Sequence, residues 1–162
     1  HARSDTLLRA GALERLGCAA STLPERWTIC VLDAWRPLEL QAELYHAAKA
    51  DPDLPDGYIS YPDSDPSTPP PHLTGGTVDC TLGVDGIPLA LGTGFDDFSD
   101  RAHCLALEGC PGVERDLRRV LFWAMHRAGF VVLDCEWWHF EFGTRRWAAI
   151  TGRAPRYGPI QP

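Results

Sequence analysis

No apolar run in this 162-residue chain approaches the roughly 18 to 20 residues needed to span a bilayer. The longest, Val120 to Met125, lies inside an amphipathic helical pattern, so a soluble protein is expected. Positive charge is also short: 15 Lys and Arg stand against 22 Asp and Glu, for a formal net charge of −7. Nucleic acid calls for a basic face that neutralises phosphates, and docking on anionic lipid calls for the same. Neither a nucleic-acid nor a membrane partner is therefore expected. The six cysteines (Cys18, Cys30, Cys80, Cys104, Cys110, Cys135) form no C-x-x-C pair and show no regular spacing. They read as buried free thiols in a reducing cytosol, with disulfides as the alternative. A cytoplasmic location follows as the expectation. The chain starts at His1 rather than Met, so residues upstream are expected and a periplasmic location stays open.

Internal repeats are missing as well, and so is a βαβ rhythm. What remains is enough for one domain with a sizeable core, expected over residues 1–162, with an ordinary globular 44% hydrophobic content. An acidic chain with 6 Trp and 4 Tyr suits a small-molecule or peptide substrate in an aromatic-walled cleft.

Periodicity places a helix over Leu7 to Cys18, with Leu8, Ala12, Leu13 and Leu16 at helical spacing. Trp27 to Asp33 is rich in β-branched and apolar residues and reads as a strand. Pro37 opens a second helix with a Leu40, Leu44, Ala47, Ala48 stripe, which sets Arg36 at a strand-to-helix junction. Asp51 to Pro71 is a long loop with seven prolines, stiff before folding and suited to a fixed rim. Thr77 to Leu82 is a strand, and Asp85-Gly86 turns it into Ile87 to Ala90. Arg115 to Ala128 is the clearest helix, with Leu117, Val120, Leu121, Ala124 and Ala128 on one face and Gly129 at its end. The runs FVVLD and WHFEF complete the core, and the tail from Thr144 reads as coil. The pattern is α+β with a mainly antiparallel sheet flanked by helices.

Three segments carry chemistry: Asp33 to Pro37, His72 to Asp79, and Glu136 to His139. Strand alternation puts Thr77, Asp79 and Thr81 on one face, against Val78, Cys80 and Leu82 on the other. Gly75 and Gly76 permit a tight turn and close backbone approach. Taken alone, this segment is also what a solvated strand face with a loop histidine looks like. In WHFEF, alternation groups Trp137, His139 and Glu141. Glu136, three residues before His139, would face the opposite way in a regular strand. It converges with His139 only from a bulge or from before pairing begins. Two histidines and a carboxylate are a usual protein shell for catalytic zinc, which keeps its fourth position for water and lowers that water's pKa to about 7. A nearby glutamate can then serve as general base, and Arg36 is a candidate for the oxyanion. Paired with Asp33 or Glu39 instead, Arg36 would be an ordinary helix-start arginine. His46 and His126 fall on helices as surface or packing residues, and His103 is a weak candidate to support the site from behind.

DAWRPLELQ, the Ser67 to Asp79 segment (S-x-x-x-x-H-x-x-G-x-x-x-D), GTGFDDFSDRAH and EWWHFEF occur in this order. Together they resemble the VanX-type D-Ala-D-Ala dipeptidases, within a wider group of zinc D,D-peptidases that share a fold with the hedgehog signalling domain. The likeness runs from about Leu7 to Phe142. It implies one zinc ion per chain, held by His72, Asp79 and His139, with Glu136 as catalytic base. It further implies that Arg36 polarises the scissile carbonyl and that Asp96 meets the substrate's free amino group. One position departs: family members carry a serine two residues before the first histidine, and this chain has Pro70. The implied activity is hydrolysis of the dipeptide D-Ala-D-Ala, for nutrient recycling or to deplete the cell-wall precursor that vancomycin targets. A D,D- or L,D-carboxypeptidase acting on longer peptidoglycan peptides and a non-catalytic zinc peptide-binding module are the competing readings.

Overall fold

β-branched and aromatic residues paired with turn chemistry build the sheet. The computed structural model describes residues 6–54 and 57–162. Residues 55 and 56 of the proline-rich loop, and residues 1–5 of the expected domain, lie outside the described residues. The elements in chain order are α1 (Ala10–Ala20), β1 (Trp27–Asp33), α2 (Leu38–Ala50), β2 (Thr77–Val84) and β3 (Ile87–Pro88), followed by α3 (Val113–Arg127), β4 (Val131–Leu133), β5 (Glu136–Glu141) and α4 (Arg145–Thr151). The sheet runs β1-β2-β5-β4, with the short β3 also on β2, and every pairing is antiparallel. The expected α+β class is the observed one. Asp85 and Gly86 both take positive φ (52° and 78°), as a two-residue hairpin turn requires.

One face of the sheet packs on α1 and α3. Val78, Cys80 and Leu82 from β2 and Trp138 and Phe140 from β5 meet Ala12 and Leu16 from α1 and Leu121, Ala124 and Met125 from α3. Burying each of Leu82, Leu121, Met125, Phe130 and Phe140 contributes about 1.5–3 kcal/mol. The opposite face of β2 is not solvated: Thr77, Asp79 and Thr81 are all buried.

Several expectations need correction. Leu40 and Leu44 are largely exposed, at 42% and 37%, and the residue that α2 buries is Gln41, at 2%. A helix pinned at its start by Arg36 turns a polar side chain inward, and the leucine stripe faces out. Leu13 and Val120 are exposed too, so the buried faces of α1 and α3 are narrower than their periodicity suggested. The tail from Thr144 is not plain coil. Thr144 caps α4 by accepting from the Trp147 amide, and Trp147 is buried. Beyond α4, the Ile160 amide bonds to the Leu73 carbonyl. All six cysteines are free, but only Cys80 is buried; Cys18 and Cys110 are exposed. Among the described residues no helix is long and apolar enough to cross a membrane.

Candidate active site

Register decides which side chains meet. Asp79 on the central strand β2 lies opposite Asp33 on one side and His139 on the other. Two ladders of the sheet slip, β1–β2 between Val31 and Asp33 and β4–β5 between Val132 and Leu133. The second slip pairs Val132 with Phe140 but Leu133 with Glu136, so Trp137, Trp138 and His139 form a bulge. That bulge answers the i, i+3 difficulty: Glu136 Oε2 comes within 3.5 Å of His139 Nδ1. It also breaks the expected grouping of Trp137 with His139. Trp137 packs in the core instead, with the Arg118 guanidinium 5.3 Å from its ring centroid.

His72 arrives from the other side, on a single 3-10 turn (Pro71–Thr74) that Gly75 ends at φ 68°. At Gly76 a side chain would collide with the Phe142 carbonyl and the Tyr157 ring, so only glycine lets this segment enter β2.

His72, Asp79 and His139, all buried, each bring one ligand atom within 4.8 Å of the others. His72 Nε2 is 3.3 Å from Asp79 Oδ2, and His139 Nδ1 is 3.1 Å from Asp79 Oδ1. The far nitrogens are held by groups that only accept. His72 Nδ1 donates to the Ala34 carbonyl at 2.6 Å and His139 Nε2 to Glu141 Oε1 at 3.2 Å. With one nitrogen of each imidazole occupied in this way, the other, the one that would ligate a cation, faces Asp79. Asp79 Oδ1 is buried without a hydrogen-bond partner, with the His139 nitrogen 3.1 Å away. Burial works against charge on Asp79, yet the two imidazoles hold its carboxyl below the usual range. Burial likewise opposes charge on His139, and contacts with Asp79 and Glu141 outweigh it, raising its pKa to about 10. The cluster favours positive charge at its centre. These donors fit a divalent transition metal with nitrogen and carboxylate preference.

Glu136 is buried beside the cluster. Burial pushes its carboxyl up to about 7, against the pull of His139. Arg36 lies at the junction after β1, pinned by Asp33 Oδ2 (3.0 Å from Nε, 2.6 Å from Nη2) and by Gln41 Oε1 (2.9 Å from Nη1). The pairing with Asp33, the mark of an ordinary helix-start arginine, here fixes Arg36 in the cleft wall. Gln41 in turn donates to the Ser60 carbonyl, tying the proline-rich loop to Arg36.

A cleft of about 270 Å³ opens over these groups, lined among others by Tyr58, Phe98, Asp96, Arg36 and Arg146. Tyr58 and Phe98 form an aromatic wall, with ring centroids 5.2 Å apart. Asp96 stands at the open side with φ 57°; packing around its carboxyl, and then the charge of Asp79, raise its pKa. His103 does not reach the cluster; its Nε2 lies 3.3 Å from the Tyr58 hydroxyl. His46 and His126 are exposed, as expected. Sequence reasoning missed Glu141, Gln41 and Arg146. Glu141 shared a strand face with His139 and so was findable. Gln41 and Arg146 carried no pattern.

Residues 6–152 match the peptidase M15 family model, described as D-ala-D-ala dipeptidase. A D-alanyl-D-alanine dipeptidase of Synechocystis is 32% identical over 182 residues, covering 90% of this chain and 73% of the relative. A D-alanyl-D-alanine dipeptidase of Escherichia coli is 34% identical over 114 residues, covering 70% of this chain and 54% of the relative. With the match spanning most of its length, this chain belongs to the D-ala-D-ala dipeptidase family, peptidase M15.

Proposed function

We propose that this protein is a zinc-dependent dipeptidase that hydrolyses D-Ala-D-Ala to two molecules of D-Ala. The observation that carries the reading is the buried His72–Asp79–His139 cluster, with Glu136 beside it and a small cleft above. The family and the names of both relatives point to the same substrate.

His72 Nε2, His139 Nδ1 and Asp79 would hold the ion, and the unpartnered Asp79 oxygen is a donor waiting for a cation. When bound, zinc supplies Lewis acidity that polarises the amide and acidifies water. Glu136 takes a proton from the attacking water and returns it to the leaving amine; a carboxyl near neutrality suits both halves of that transfer. Three described contacts occupy three of the five guanidinium donors of Arg36, leaving others for the oxygen that gains charge. Asp96 faces the substrate ammonium.

Glu141 keeps the His139 proton on Nε2. Replacing it with glutamine should lower zinc affinity by about 10- to 100-fold with the fold intact. Competition with a chromogenic chelator measures this, and unchanged affinity would leave Glu141 as packing alone.

The test of function compares hydrolysis of D-Ala-D-Ala with that of its N-acetylated form by the zinc-loaded protein. The expected result is strong preference for the free amine. Preference for the acylated substrate would make the chain a carboxypeptidase, and no cleavage of either would favour a binding module.

A further inference from the structure

A dipeptide bound over this cluster presents a second charge, its carboxylate, one residue beyond the scissile amide. Burying that anion without a partner would cost several kcal/mol, on the order of what loses a ligand altogether. Pro70 offers it no donor. Among the described residues lining the cleft, histidines aside, the cations are Arg36 and Arg146. Arg36 is clamped by Asp33 and Gln41 beside the His72 side of the cluster.

Arg146 sits differently. It is the second residue of α4, held beside the cleft by the Thr144 cap and by Trp147 behind it. Its side chain is 33% exposed, and its one described hydrogen bond runs from Nη2 to Asp134, a carboxylate 92% exposed. Such a surface bridge contributes little and yields easily. Its Nε is buried with no hydrogen-bond partner; the nearest carboxylate oxygen, Glu141 Oε1, is 4.0 Å away. Glu141 already accepts from His139 and Thr144, so it does not depend on Arg146 for a donor. Arg146 thus borders His139 through Glu141. Asp96 lines the same cleft. The cleft therefore carries both a carboxylate, Asp96, and an under-used guanidinium beside His139, Arg146. A zwitterionic dipeptide has the matching polarity.

We infer that Arg146 binds the C-terminal carboxylate of the substrate, its planar fork donating to both oxygens, and so restricts the site to peptides ending in a free acid. This rests on the dipeptidase reading above.

The test measures binding of D-Ala-D-Ala and of its C-terminal amide to Glu136→Gln protein by calorimetry, with and without Arg146→Met. Turnover of both by the zinc-loaded parent is measured alongside. The parent background should bind the free acid roughly tenfold or more tighter than the amide, as expected for hydrogen bonds to a charged group. Arg146→Met should erase that ratio, while the amide binds as before. Arg146→Lys, which keeps charge but not the fork, should fall between and serves should the methionine variant fail to fold. A parent that does not distinguish acid from amide overturns the inference, as does a ratio that stays at the parent's value in either variant. Absence of D-Ala-D-Ala cleavage by the zinc-loaded parent is a separate result, and it sinks the dipeptidase reading together with this one.

Discussion

Replacing Glu136 with alanine is expected to abolish nearly all dipeptide turnover while the metal stays bound. The carboxyl is next to the His139 nitrogen that faces Asp79, yet it is not one of the three groups that converge on a common point. Removing it takes away the proton carrier and leaves the donors in place. General-base catalysis contributes about 10²- to 10⁴-fold, and the same group also delivers a proton to the leaving amine, so the loss belongs at the upper end. Steady-state kinetics on D-Ala-D-Ala, with zinc content measured on the same sample, checks both halves. A rate like that of the parent would remove Glu136 from the chemistry. Loss of zinc along with activity would make it a ligand instead.

How far the site was legible in the sequence depends on what fixes each residue. Asp79 and His139 were readable because strand alternation assigns faces without knowledge of the partner strand. Their meeting was not, because cross-strand register is set by turns and bulges distant in sequence. Convergence of Glu136 on His139 called for either a bulge or a position before regular pairing, and the β4–β5 slip supplies the bulge. Gln41 shows the opposite case. Helical periodicity favours the leucines of α2 as the buried set. The local field of Arg36 and the Ser60 carbonyl reverse that choice, through hydrogen bonds no hydrophobic count can register. The α4 cap failed for a different reason: Thr144 lacks an acidic partner three residues on, and a seven-residue helix leaves almost no period to detect.

Asp79→Asn should cost the protein its metal, and this separates a shared ion site from a merely polar pocket. Asparagine has nearly the same shape, so the buried strand position, 2% exposed, is filled as before. What disappears is the negative charge between two imidazoles and one strong oxygen donor. Losing a group that only orients a ligand already costs about 10- to 100-fold in affinity, so losing a ligand should exceed 100-fold. Turnover at limiting zinc should vanish with it and return only in part at high zinc. The His139 imidazole supplies an independent readout. Its proton affinity is raised by Asp79 first and Glu141 second, so in the metal-free variant its pKa should fall from the parent's value near 10, visible in proton-detected NMR of the ring. A variant that binds zinc as tightly as the parent, with the His139 titration unmoved, would show that Asp79 shares no ion with the histidines, and the catalytic assignment of all three would fall with it.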